Sequence, residues 1–241
     1  MLFFFKRNVV VVDCFITNPT ILKLFPIAKA SHHIPDWWKR MPQTNYNEKF
    51  ISNESTLKGC PGFIDLYKQG FMMPLWADLA IDVKDGKYQW QFSDFSTHAE
   101  VHNSHQWGAF ADESKYGHIK ILSPWRIKTK KDLSWLMLAP FWNDKLQTNY
   151  SIVPGVLNFK YQHENNINIF ISMNENNFII PNNHPLYHLI PLTQDKVELK
   201  YHLVSEEELK KYNTHSVSFT QDYYNRISLA KKCPIKWNKN D

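Results

Sequence analysis

At 241 residues, with 43% hydrophobic and 21% charged side chains, the chain has ordinary globular composition and enough length to bury a core unaided, which excludes wholesale disorder. Its net charge of +5 is dispersed, and the nearest approach to a basic block, "RIKTKKD" at 126–132, reads as a solvated loop, so no nucleic-acid partner is expected. No apolar run approaches the roughly 20 residues of a membrane span, so no membrane partner is expected either.

Cys14, Cys60 and Cys233 are far apart and form no CxxC pair, which fits inert thiols in a reducing compartment. Aromatic residues make up 15% of the chain against only seven glycines, a balance that favours strands over a helical bundle.

The N-terminal "MLFFFKRNVVVV" has its apolar start before Lys6 and Arg7, the reverse of a secretory signal, and "NVVVVDCFIT" reads as a buried β-branched strand ending at Asn18-Pro19. "IPDWWKRMP" holds a short helix near 35–41, bounded by Pro35 and Pro42. A second spans 61–69, with Pro61 in its first turn, Gly70 as its stop, and Phe63, Leu66 and Tyr67 on one face.

Leu75, Ala77, Leu79, Ile81 and Val83 share one parity, as do Tyr88, Trp90 and Phe92, and Asp85-Gly86 between them marks a hairpin turn. "HIKILSPWRIKTK" and "LSWLMLAPFW" are expected to form an antiparallel pair around "KTKKD". "GVLNFKYQ", "INIFISM", "NFIIP", "YHLIPL" and "KVELKYHLV" continue the short-strand rhythm. Ser205 and Glu208 form a capping box before "EELKKY", and "FTQDYYNRISLAKK" is a further helical segment.

The expected fold is therefore mainly β: an antiparallel β-sandwich, or a jelly-roll or β-clip-like barrel, with a few short helices. A β-rich domain over 1–204 would carry a helical C-terminal tail over 205–241.

One stretch invites a chemical reading. In "STHAEVHNSHQ" an extended strand points His98, Glu100 and His102 to one side, as in the two-histidine, one-carboxylate triad that holds Fe(II). A distant ligand would come from His188 or His163. This reading implies iron or another divalent metal in a cupin-like or oxygenase-like enzyme. The simpler reading is a polar, hydrated segment, since Ser96, Thr97, Asn103 and Ser104 surround the histidines and the glycines flanking cupin motifs are missing. No cofactor is expected on that reading.

There is no GxGxxG, phosphate-binding loop, GxSxG or HExxH motif, and Asp78, Asp82 and Asp94 suggest no carboxylate pair. Trp37, Trp38, Trp107, Trp125, Trp135 and Trp142 divide between core and surface. Trp37, Trp38 and Trp107 are the candidates for a ligand or partner surface.

Five stretches carry a resemblance: "VVVDCFITNP…FPIAKASHHIPDWWKRMP", "TLKGCPGFIDLYKQGFMMPLWADLAIDV", "SPWRIKTKKDLSWLMLAPFW", "VPGVLNFKYQHENNINIFI" and "PLYHLIPLTQDKVELKYHLV". In this order over roughly 9–205, the chain resembles a family of proteins from marine tailed phages, chiefly those infecting cyanobacteria. The resemblance implies a viral product made in the host bacterial cytoplasm, free or virion-associated, and brings no activity or catalytic residues with it. A looser likeness of "FMMPLWADLAI" and "IIPNNHPLYHLIPL" to the β-clip layout of trimeric dUTP pyrophosphatases concerns strand layout alone, because the nucleotide motifs are missing.

The leading expectation is a non-enzymatic protein that binds a protein or virion partner through its sheet surface. Homo-oligomerisation through an uncovered edge is compatible with it.

Overall fold

The computed structural model describes residues 8–94, 98–143, 149–174 and 176–212. Its strands in chain order begin with β1 (Val9–Ile16), β2 (Ala28–Lys29), β3 (Thr44–Asn47), β4 (Ser52–Ser55), β5 (Phe71–Pro74), β6 (Leu79–Lys84), β7 (Lys87–Phe92), β8 (Ala99–Val101) and β9 (Tyr116–Ile121). They continue with β10 (Arg126–Thr129), β11 (Trp135–Leu138), β12 (Tyr150–Ile152), β13 (Gly155–Leu157), β14 (Ile167–Ser172), β15 (Asn176–Ile180), β16 (Pro185–Pro191) and β17 (Lys196–Leu203). Four short helices accompany them: α1 (Pro19–Leu24), α2 (Asp36–Arg40), α3 (Pro61–Lys68) and α4 (Glu206–Lys210). The protein is mainly β, and its sheets are antiparallel with one exception.

Among the described residues five sheets form, with strand orders β10-β1-β17, β13-β11-β16-β5-β2, β12-β14-β9-β8, β15-β6-β7 and the hairpin β3-β4. The exception is β1 with β17, which run parallel in register from Val9 opposite Lys196 to Ile16 opposite Leu203. A parallel pair needs a long crossover, and here nearly the whole chain supplies it. Strand β1 is half-buried: Val10, Val12, Cys14 and Ile16 face inward, while Val9 and its alternates face out. Burial pushes the Cys14 thiol well above its ordinary pKa, so it stays protonated and unreactive.

Inward residues of every sheet except β3-β4 meet in one apolar core, with Trp125 and Trp135 among its largest side chains. Within the five-stranded sheet, β5 and most of β16 are buried on both faces. Phe71 and Met73 of β5 enter this main core, while Met72 joins a smaller one with Ala30, Phe63 and Tyr67 under α2 and α3. Both helices lie where the prolines place them, and Phe63 and Tyr67 are the buried residues of α3. The β6-β7 hairpin turns at Asp85 (φ 50°) and Gly86 (φ 66°), the two positive dihedrals of a type I′ turn.

Strands β10 and β11 do not pair with each other. β10 is taken by β1, whereas β11 lies between β13 and β16 in another sheet. The connection lacks a glycine turn, and Asp132 within it accepts hydrogen bonds from Asn158 Nδ2 (2.7 Å) and Tyr161 Oη (3.0 Å), which holds the chain away from a tight reversal.

The capping box forms, with Ser205 Oγ accepting from Glu208 N at 3.2 Å. Beyond α4, Tyr212 stacks on Phe15 of β1 at 4.4 Å. The rest of the expected tail, including "FTQDYYNRISLAKK" and Cys233, lies outside the described residues. Among the described residues no helix is long and apolar enough to cross a membrane.

Gly70 shows how tightly β5 is set against β16. It sits at φ +71°, and a Cβ there would lie 2.1 Å from the Leu189 carbonyl oxygen. Gly86 has a similar dihedral but open space around it. Gly70→Ala is expected to cost about 3 kcal/mol or more in urea unfolding, and Gly86→Ala about 1 kcal/mol. Equal losses at the two sites would contradict the close approach at Gly70.

Candidate functional site

The four-stranded sheet β12-β14-β9-β8 turns Ile167, Ile169, Ile171, Ile119 and Ile121 into the core. Alternation then sends Asn168, Phe170, Tyr116, His118, Lys120, Ser151, Glu100 and His102 to its outer face. An aromatic on that parity needs cover, and residues 103–112 supply it. Two 3-10 turns, Ser104–Gln106 and Gly108–Phe110, lay Trp107 and Phe110 over the sheet.

The rings pack as one group. Phe170 stacks on His118 at 4.6 Å and on Trp107 at 4.5 Å, with Phe110 tilted against it at 5.6 Å. His102 meets His118 edge-on at 4.7 Å. Phe170 is only 9% exposed and His118 only 7%. Phe110, by contrast, is 78% exposed and stands on the rim of an open cavity of about 520 Å³. Ile152, Val153, Pro154 and Phe170 give this cavity an apolar floor, while Asp112 and Lys115 sit at its edge, paired with each other at 3.4 Å.

Burial lowers the basicity of both histidines; the neighbouring His102 lowers it further at His118, and Lys120 does so at His102. Asn168 beside His118 opposes the effect, although neither ring nitrogen of His118 reaches hydrogen-bond geometry. The Trp107 indole N–H is likewise buried without an acceptor. From the other side of the strand, Tyr88 Oη bridges the backbone of His118, donating to its carbonyl at 3.2 Å and accepting from its N–H at 3.3 Å.

The residues expected to bind a metal do not converge. His98 Nε2 is engaged by Asp94 at 2.7 Å and its ring packs edge-on against Trp76 and Phe92. Glu100 pairs with Lys120 at 2.7 Å. His102 belongs to the aromatic group, and His188, in the five-stranded sheet, is spent on the Gln69 carbonyl at 2.7 Å. The other distant candidate, His163, faces the carbonyls of Ile127 and Phe159. Among the described residues no three His, Cys, Asp or Glu side chains come together to hold an ion. Each of these side chains has a nearer partner than another histidine: Asp94 for His98, Lys120 for Glu100, the His118 ring for His102 and the Gln69 carbonyl for His188.

The tryptophans separate in the same way. Trp37 donates to the Trp142 carbonyl at 2.9 Å. Trp38 donates to the Leu57 carbonyl at 3.1 Å and stacks on Phe63. Trp38 packs on the small core, Trp37 is 37% exposed with an edge contact to Phe63, and of the three Trp107 joins the outer-face group. His118, Phe110 and Phe170 were not picked out from the sequence. The one available signal was Phe170 itself, an aromatic on the outward parity of "INIFIS".

Because His102 and His118 titrate below the ordinary value of 6.5 when folded, the unfolded chain binds more protons at mildly acidic pH. Stability is therefore present above 6.5 and falls as pH drops from there toward the folded values. His33, held at about 4 mainly by burial, and His188, also lowered, contribute the same sign. His118→Phe keeps the ring stack and removes one titrating group, so the fall in urea midpoint between pH 7 and pH 5 should shrink without vanishing. An unchanged fall would place His118 outside this linkage.

Compared with known proteins, the chain matches no described family, and no curated protein matches it.

Proposed function

We propose that this chain is a non-enzymatic binding protein that takes a protein partner, of the host or of the virion, on the outer face of the β12-β14-β9-β8 sheet. The phage setting and the host cytoplasm come from the family resemblance. The binding surface is supported by one observation above others, the 78% exposure of Phe110 at the rim of an open, apolar-floored cavity. A large exposed ring beside such a cavity is the composition of an interface centre, where aromatic residues contribute most. The rings beneath it are fixed by mutual stacking, so little side-chain entropy remains to be lost on binding.

A photo-crosslinking phenylalanine analogue at position 110, introduced during infection, is expected to trap a defined protein. The same analogue at Leu24, exposed on α1, is expected to trap none. Equal or absent crosslinking at both positions would overturn the reading. Elemental analysis separates it from metal chemistry. Protein purified without a histidine tag is expected to carry well under one iron, manganese or zinc per chain. Near-stoichiometric metal that disappears in His102→Ala would reinstate a metal site.

A further inference from the structure

Strand β17 is the outer strand of the β10-β1-β17 sheet, and among the described residues no strand pairs with its far edge. Its hydrogen bonds to β1 alternate. Lys196 N donates to the Asn8 carbonyl at 3.1 Å, and Val204 N to the Ile16 carbonyl at 2.9 Å. In a parallel ladder this gives the even-numbered residues of β17 to β1 and turns the N–H and C=O of Val197, Leu199 and Tyr201 outward. Among the described residues these outward groups meet no other backbone partner.

An open cavity of about 590 Å³ runs along this edge, and β17 residues of both parities line it, Val197 and Leu199 together with Lys196 and Glu198. Lining by both parities places the space beside the strand instead of over one face. Leu22, Pro26, Ala28 and Phe71 close it from the other side, so the strand edge faces an apolar shelf. Tyr201 fastens that shelf by donating its hydroxyl to the Ile27 carbonyl, next to β2. Charge here is one-sided. The Glu198 carboxylate is bonded by Lys196 at 2.6 Å, which with Lys200 and Lys29 nearby holds it below the usual carboxylate range. Three ammonium groups thus share one carboxylate along the edge.

We infer that β17 accepts an extended, acidic peptide segment of a partner protein as an added strand. This is a second surface, on a different sheet from the Phe110 rim, and it stands independently of the reading given to that rim. Main-chain donors and acceptors left open in alternate order are the complement of one ligand chemistry, another β-strand, which offers the same groups at the same spacing. The pleat then dictates the side chains of the segment. Residues opposite Val197, Leu199 and Tyr201 fall on the shelf side, where Val or Ile fits. Residues opposite Lys196 and Lys200 fall on the other face, where Asp or Glu fits. Lysines along an exposed edge oppose pairing with a neutral or basic strand. The side chains that admit an acidic segment therefore turn others away.

Amide hydrogen exchange followed by NMR on the full chain tests this, with the peptide Val-Glu-Val-Thr-Val-Glu-Val as probe. Its two glutamates have the spacing of Lys196 and Lys200. In the free protein the amides of Val197, Leu199 and Tyr201 should exchange at least about tenfold faster than those of Glu198 and Lys200, which β1 bonds. Saturating peptide should slow the first set by at least about tenfold and leave the second unchanged. The same peptide with lysine in place of glutamate should bind at least about tenfold more weakly, and Lys196→Glu/Lys200→Glu should reverse that preference. Slow exchange of the three outward amides in the free protein would mean that the edge is already filled, by a second copy or by the chain itself, and would overturn the inference. So would a failure to bind at about 1 mM peptide, binding that leaves those amides unprotected, or a double variant that still prefers the glutamate peptide. Phe110→Glu should bind the peptide like the wild type. A loss there would move the peptide to the other surface and overturn the inference as well.

Discussion

The fold is closed by the parallel pairing of β1 with β17, which joins positions 9–16 to 196–203 along eight residues of each strand. Every other strand pair among the described residues is antiparallel, and two, β3-β4 and β6-β7, are hairpins that form locally. This pair cannot form until almost the whole chain has been gathered, so it carries the largest loop-closure cost and is the natural slow step. Its register is fixed by side chains. Val10, Val12, Cys14 and Ile16 must all point into the core, and on the opposite face His202 bonds Asp13 at 2.8 Å and stacks on Phe15. A one-residue slip would expose the first set and separate the second.

With that strand in place, the remaining sheets differ in how many faces they bury, and that difference creates the candidate site. The five-stranded sheet has α2 and α3 on its far side, and β5 and most of β16 are buried on both faces. Among the described residues, 103–112 lie above the four-stranded sheet. That cover buries Phe170 and His118 but stops at Phe110, leaving the cavity beside it open. Its cost falls on polar groups. His118 and Trp107 lose water without gaining full hydrogen bonds, a debit that an all-apolar face would avoid. A surface that keeps such groups under stacked rings trades stability for a defined shape.

What could be read in advance follows from where local chemistry decides the outcome. The β6-β7 hairpin was legible because its period-two pattern and Asp85-Gly86 turn demand the same geometry, and α3 was legible from Pro61, Gly70 and its apolar face. The pairing of β10 with β11 was misjudged because adjacency along the chain says nothing about which distant strand competes for an edge, and β1 wins that competition. The arm at 44–55 carries no alternating apolar signal, since both its faces meet water. His118 stayed hidden because a histidine between Gly117 and Ile119 looks like any polar alternate until Phe170 on the next strand is known to lie across from it.

In the histidine stretch the spacing is right, yet among the described residues the donors are not brought together. Alternation does put Glu100 and His102 on one face, as the strand period requires. A chelating set, however, needs donors left free by their neighbours, and β9 presents Lys120 and His118 to those two positions. The Glu100–Lys120 pair is half-exposed on its glutamate side and less so at Lys120, and as a partly solvated ion pair it contributes modestly to stability. The aromatic packing does more, because Phe170, His118, Trp107 and His102 bury one another's faces. Neutral imidazoles are well suited to that role, since a charged ring would have to be desolvated against Phe170 and Trp107. The lowered basicity of His102 and His118 fits their place as flat, neutral rings in the packed aromatic group.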